Sequence, residues 1–382
     1  MLDKGVPSLF ANLKHLYADS RKKDTLASLV EDYVKSAQAA GETKAANGDS
    51  SKGLGAGLYY MAQHFNYFQS RDLDKAMECV ERAIGLDDKN VQFHMTKARI
   101  WKHRGNLSKA AEIMDHARSL DTKDRYINSK AAKYQLRYNE NERALQTMSL
   151  FTRGESPNGP LQDLLDMQCI WFLTEDGEAY ARRGNIGLAL KRFHAVFNIF
   201  DIWQEDQFDF HNFSLRKGLI RAYIDLVNWE DRLREHPFFS RAARAAVDVY
   251  LKLHDKAKPA ANGVNGDAEA NGDDAAERKR AAKKAKRDAQ KAERAAAEKQ
   301  TKQDPNKAVA AADPAKKKDE DPLGLKLAAT TEPLVEAMKF LNPLLQFTPD
   351  SIEAQVLGFD VFMRKSMLLD PTATQNLASL VC

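Results

Sequence analysis

The chain has 382 residues, with 58 Lys and Arg against 54 Asp and Glu for a formal charge of +4, and 43% hydrophobic residues. That length holds two or three domains, and no apolar run approaches the ~20 residues a transmembrane helix needs, which excludes a membrane-spanning reading. Cys79, Cys169 and Cys382 form no CxxC pair and signal neither a disulfide framework nor a zinc site.

Residues 1–54 read as a helical lead-in followed by a polar linker. After Met1 come Asp3 and Lys4 rather than a basic patch and an apolar stretch, so no signal peptide is predicted and the chain is expected inside the cell. Gly53, Gly55 and Gly57 form a GxGxG run. It follows a polar stretch instead of a strand, and reads as a flexible entry to the next helix rather than a phosphate loop.

Residues 55–256 carry an internal repeat. Tyr67, Leu73, Ala76, Val80, Ala83, Leu86 and Asp87 are echoed 34 residues later by Trp101, Leu107, Ala110, Met114, Ala117, Leu120 and Asp121. A 34-residue period with an aromatic on the first helix and small residues on the second is the tetratricopeptide signature. Ala76 and Ala83 stand seven apart on one helical face, where small side chains let a neighbouring helix approach. Asp72 and Asn106 are placed to cap the second helices, and Gly105 eases the turn. Tyr180, Ala189 and Phe193, with Gly184 and Asn185 at the turn, make a third copy, and Ala144 and Met148 mark a degenerate one. The predicted fold is therefore all-α: a tetratricopeptide-type α-solenoid with a charged linker and a C-terminal helical segment.

Catalytic patterns are missing from the sequence. The nine histidines form no HExxH, no Ser lies in a GxSxG elbow and no Gly-rich loop matches a P-loop. Asp206, Asp209 and His211 stand among Phe208, Phe210 and Phe213, and read as a packed helix corner rather than a metal site.

Residues 257–322 form the charged linker. Its basic core, residues 278–302, holds eleven Lys and Arg against three acids, a local charge of +8 that leaves the rest of the chain at −4. Strong helix formers without one large apolar residue have nothing to bury, so the core is either a solvated single helix or disordered. One reading is a solvated linker. The functional reading is a polyanion contact in which Arg278, Lys279, Arg280, Lys283, Lys284, Lys286 and Arg287 neutralise RNA phosphates. The same run fits the loose pattern of a nuclear-localisation signal. No aromatic interleaves with the charges, which argues against base stacking.

In residues 323–382, Leu334, Met338, Leu341 and Leu345 form one apolar stripe and Ile352, Val356, Phe359 and Phe362 a second. The pair is expected to pack back on the solenoid or to dock a small partner.

Longer strings carry a more specific likeness. KGVPSLFANLKHLY from Lys4, YYMAQHFNYFQSRDLDKAMECVERAI from Tyr59, MQCIWFLTEDGEAYARRGNIGLALKRFHAV from Met167 and DPLGLKLAATTEPLVEAMKFLNPLL from Asp321 occur in order. Together they resemble the auxiliary subunit of the N-terminal acetyltransferase A complex, and in particular its C-terminal half. The resemblance implies a non-catalytic scaffold that wraps a small catalytic acetyltransferase subunit. It also implies delivery of that subunit to ribosomal RNA and exit-site proteins, to act on nascent N-termini in the cytoplasm. Consistent with this, the [QR]xxGx[GA] acetyl-CoA loop is lacking, since ARRGNIG at Ala181 has the wrong spacing; acetyl-CoA is expected on the partner. A small regulatory subunit is a further implied partner.

The family also places an inositol hexakisphosphate between scaffold and catalytic subunit. Lys97, Arg99 and Lys102 lie on one first helix, and Arg125, Lys130, Lys133 and Arg137 on the next. Carrying the family's site over motif by motif selects Lys97, Arg99, Arg125, Lys130 and Arg137. Lys97 replaces an apolar consensus position, which is expected to bring it nearer the groove. The alternative is a solvated basic face, and for the whole chain a free-standing tetratricopeptide adaptor that binds RNA or peptide.

Overall fold

The caps written into the repeat do what their chemistry allows. In the computed structural model, which describes residues 1–43, 48–153, 159–206, 212–213, 215–257 and 321–365, every regular element among the described residues is helical. A short α1 (Leu9–Leu13) and a 3-10 turn lead into α2 (Ser20–Thr43), followed by α3 (Gly48–Asn66) and α4 (Leu73–Leu86). Then come α5 (Val91–His103), α6 (Leu107–Leu120), α7 (Arg125–Arg137) and α8 (Asn141–Ser149). The Asp72 and Asn106 side chains accept hydrogen bonds from the backbone N–H of Lys75 and Lys109, satisfying donors that the first turns of α4 and α6 leave open. Gly105 takes φ +82° in the α5–α6 turn, a conformation that favours glycine. Asn139, one period later, takes φ +67° in the α7–α8 turn, and α8 starts without a side-chain cap. That is how the degenerate repeat is built, with Ala144 and Met148 still buried.

After an inserted α9 (Pro160–Asp166), α10 (Ile170–Arg182) and α11 (Ile186–Glu205) form the next pair, with Asn185 capping α11 through the Leu188 N–H. The pair is close because Gly177 faces the other helix: a Cβ there would lie 2.7 Å from the Phe193 ring. Next come α12 (Ile220–Glu230) and α13 (Pro237–Ala257), and after residue 320 α14 (Leu325–Ala328), α15 (Pro333–Phe347) and α16 (Ile352–Arg364).

Gly53, Gly55 and Gly57 correct the sequence reading. They are not a loose entry but lie inside α3, where a Cβ on Gly53 would meet the Tyr33 hydroxyl at 2.5 Å and one on Gly57 the Val34 side chain at 2.7 Å. Small residues let α2 lie against α3, and residue 54 falls within that helix.

Apolar burial follows the chain in successive clusters. Phe10, Tyr17, Tyr60 and Val80 bind the lead-in to the first pair, Met95, Met114 and Tyr134 link the next helices, and Leu136, Leu164 and Phe172 follow. Phe193, Phe200, Phe239, Tyr250 and Phe340 then unite α11, α13 and α15. Each such fully buried aromatic contributes about 2–3 kcal/mol. Leu334 and Leu341 sit in this last cluster, so the first C-terminal stripe packs back as expected. The second does not: Ile352 is 74% exposed and Val356 and Phe359 are exposed too, because α16 buries Ala354, Leu357 and Val361 instead.

Two compact units result, Met1–Leu253 with Leu323–Cys382, and His254–Pro322. Only residues 254–257 and 321–322 of the second are described; the basic core, with Arg278, Lys279, Arg280, Lys283, Lys284, Lys286 and Arg287, lies outside the described residues. No described helix is long and apolar enough to cross a membrane.

Candidate functional site

Successive first helices of the repeat bring cations together. On α5, Arg99 and Lys102 are three residues apart and share a face; on α7, Lys130, Lys133 and Arg137 do the same. Arg71, in the segment before α4, joins them. Burial first, and then Arg137, Arg99, Lys130 and Arg71, bring the Lys102 ammonium down to about 8. The neighbouring His103 imidazole is pushed down to about 4 by burial and then by Lys102, Arg71 and Arg99. Its Nδ1 lies 2.6 Å from Asn66 Oδ1, so the amide oxygen accepts the Nδ1 proton. A recess of ≈ 310 Å³ opens here, lined by Arg71, Arg99 and His103 together with Lys14, Gln63 and Asn66.

Few carboxylates answer this charge. Among the described residues, Arg71, Arg99, Lys102 and Lys130 have no carboxylate within ion-pair distance; Arg99 hydrogen-bonds Tyr134, and Lys130 lies 5.0 Å from the centre of the Tyr126 ring. The far edge is anchored by Glu175 on α10, which is 1% exposed and meets Lys133 at 3.3 Å, Arg137 at 3.2 Å and Arg241 at 3.2 Å. Burial pushes its carboxyl up, but Arg137, Arg241 and Lys133 outweigh this and hold it below the usual range. Arg241 also forms a bidentate pair with Glu178, both contacts at 2.6 Å. One position along, Asp176 receives Arg192 at 2.7 Å and Asn141 at 2.8 Å. Burial nonetheless raises its carboxyl. Arg71 and Arg99 at the recess, with Lys102 and Lys130 in the same positive field, are suited to a small polyanion, whose phosphate groups would relieve their mutual repulsion through charge-assisted hydrogen bonds.

Of the five cradle residues selected from sequence, the structure gathers Arg99, Lys130 and Arg137. Lys97 points elsewhere: its Nζ is 3.1 Å from Glu81 on α4, because two residues before Arg99 is ~200° around the helix. Its departure from the apolar consensus marks an ion pair between helices, not a groove position. Arg125 is exposed at the start of α7, its guanidinium 5.7 Å from the Phe151 ring centre. Sequence selection passed over Arg71, Lys102 and His103. The i, i+3 spacing from Arg99 pointed to Lys102, whereas Arg71 sits in a connection whose path only the fold reveals.

Two apolar surfaces are open. No residue of α12 is buried, and Ile220 and Ile224 are 68% and 52% exposed, continuing a strip through Leu219 and Leu215. The exposed side of α16 borders a cavity of ≈ 540 Å³ that it forms with α13. Burial pushes the Cys79 thiol up to about 11, which disfavours the thiolate. Among the described residues no group of three or more His, Cys, Asp or Glu could hold a metal; Asp209 and His211 are not among them.

Stacked helix pairs with a cationic recess beside their first helices and uncovered apolar helix faces define a helical solenoid of tetratricopeptide type. Within that class, the chain belongs to the family of N-terminal acetyltransferase A auxiliary subunits, whose model matches residues 1–378. It is 40% identical over 381 residues to the N-terminal acetyltransferase A complex auxiliary subunit NAA15 of Arabidopsis thaliana, a match covering 97% of this chain and 40% of that protein. It is 42% identical over 377 residues to the human N-alpha-acetyltransferase 16, NatA auxiliary subunit, covering 96% and 43%. A chain in a solved Naa15/Naa10 complex bound to HypK-THB superposes with a TM-score of 0.74 at 53% identity, over 100% of this chain and 49% of that one. The chain thus spans about two fifths of the length of the curated relatives it matches.

Proposed function

We propose that this chain is a non-catalytic scaffold of an N-terminal acetyltransferase A complex, holding the catalytic subunit while that partner carries acetyl-CoA and acts on nascent N-termini. The carrying observation is the likeness, in sequence and fold, of the whole of this chain to about half of a chain solved with Naa10. The bare apolar face of α12, with Ile220 and Ile224 exposed, supports it, since contiguous exposed apolar surface is what a partner covers. The face of α16 with Ile352, Val356 and Phe359 suits the docking of a small regulatory partner.

The basic recess is the seat of inositol hexakisphosphate in this reading, held by Arg71, Arg99, Lys102, Lys130 and Arg137 and bridging scaffold to partner. Calorimetry with the hexakisphosphate tests it: Arg99→Gln with Lys130→Gln should weaken binding at least about tenfold, since charge-assisted contacts are lost. Unchanged affinity would refute the site.

Residues 278–302 supply the ribosome contact, at the rRNA near the exit. The working location is cytoplasmic and ribosome-associated, with a nuclear fraction through the same basic run. Replacing Lys283, Lys284, Lys286 and Arg287 by Glu should weaken ribosome co-sedimentation and flatten its salt dependence. Co-sedimentation that stays the same would remove that role.

A further inference from the structure

We propose that the cavity between α8, α9, α10 and α11 is a binding site for a small neutral carboxamide carried on an apolar body. Helix phase builds it. Phe172, Asp176 and Tyr180 stand four residues apart on α10 and share one face; with Leu145 of α8, Leu161 of α9 and Arg192 of α11 they line a space of ≈ 260 Å³. That volume falls just under the roughly 300–1,000 Å³ of drug-sized sites. The occupant is therefore a single ring or one short branch, not a nucleotide or a coenzyme.

The polar groups fix what the occupant carries. The Arg192 side chain is 7% exposed, yet among the described residues its one hydrogen bond runs from Nε to Asp176 Oδ2, 2.7 Å away. Its two terminal nitrogens and their N–H groups are left without an acceptor. The Tyr180 hydroxyl makes no hydrogen bond among the described residues either, and its ring centre lies 5.8 Å from the guanidinium. Donors with so little access to water call for an acceptor oxygen. Asp176 adds the opposite demand: Oδ1 accepts from Asn141 at 2.8 Å and Oδ2 from Arg192, which leaves each oxygen a lone pair for a further donor.

Charge decides among the ligands that could answer. Arg192 is already matched by Asp176, and exposed Glu142 by Arg183 at 3.1 Å, so the site is neutral before anything enters. A carboxylate would engage Arg192 but meet a like charge at Asp176, and an ammonium would do the reverse; either excess charge works against entry where water is scarce. A primary carboxamide offers its carbonyl oxygen to Arg192 and Tyr180 and its NH2 group to Asp176 without net charge. Leu145, Leu161 and Phe172 enclose the apolar body behind it. The cavity shares no lining residue with the basic recess, so it stands whether or not that recess holds a polyanion.

Ligand-observed NMR titration of the full chain with benzamide, benzoate and benzylamine tests this, since the three share a ring and differ in the group that meets Arg192 and Asp176. Benzamide should bind saturably and at least about fivefold more tightly than either charged analogue. Tyr180→Phe should weaken benzamide about fivefold by removing one donor, and Leu161→Trp should abolish its binding by filling the space. The analogue series needs no variant, so it decides the matter even where a substitution disturbs the fold. No saturable binding of benzamide, a charged analogue that binds as tightly, or an affinity indifferent to both substitutions would overturn the proposal.

Discussion

Glu175→Gln separates stability from ligand binding, because this one carboxylate opposes repulsion among the cations that form the cradle. It is 1% exposed and meets three cations at 3.2–3.3 Å. Breaking a buried ion pair by removing one partner costs about 3–5 kcal/mol. Here Lys133, Arg137 and Arg241 are 25%, 31% and 33% exposed and can rehydrate in part, and Arg241 keeps Glu178. The expected loss is therefore about 2 kcal/mol, or roughly 3–6 °C in Tm for a domain of this size. Urea unfolding measures it. Because the folded carboxyl is held below its usual range, its contribution is complete above the unfolded pKa and disappears as pH falls through the folded one. The gap between wild type and variant should be full at pH 7 and close below about pH 4. Polyanion affinity should move the other way, rising about fivefold as a negative charge beside Arg137 is removed. A stability change below about 0.5 kcal/mol, or affinity falling together with stability, would refute the reasoning.

Three further outcomes are expected. Gly177→Ala should destabilise by about 1–3 kcal/mol, since its Cβ meets Phe193 at 2.7 Å, while Gly85→Ala, on α4 with nothing within 4 Å, should stabilise by about 0.5–1 kcal/mol; thermal melts of the two variants check the pair. His103 should titrate near 4 in the free chain and move up when inositol hexakisphosphate binds, as followed by imidazole NMR shifts. Stability linked to it is complete above about pH 6.5 and is lost as pH falls towards 4, the sign expected of a base whose folded pKa is depressed. Replacing Ile220 and Ile224 on α12 by Asp should leave the melting temperature within about a degree, because neither is buried, yet abolish capture of a catalytic subunit in a pull-down.

What was legible in the sequence was local. Asp72, Asn106 and Asn185 cap helices within three residues of themselves, and Gly105 and Gly184 turn the chain where they stand, so the repeat could be read directly. Gly53 and Gly57 were misread because what they accommodate, Tyr33 and Val34, belongs to another helix. Helix phase accounts for the cradle: Lys97 and Lys102 are alike as residues, yet five positions turn them ~140° apart, one onto Glu81 and the other among cations. Glu175 left no sequence signal, since its partners Arg137 and Arg241 lie 38 and 66 residues away in the chain. Periodicity revealed an apolar face on α16 but not whether anything covers it, and Ile352 and Val356 are bare.

Co-purification of this chain with a catalytic subunit of the Naa10 kind, with and without inositol hexakisphosphate, tests the scaffold claim most directly. The account predicts a stable complex that forms more tightly with the hexakisphosphate and acetylates a Ser-starting peptide, while the chain alone transfers nothing. A folded chain that captures no acetyltransferase under either condition, or one that transfers acetyl groups to the peptide by itself, would contradict it.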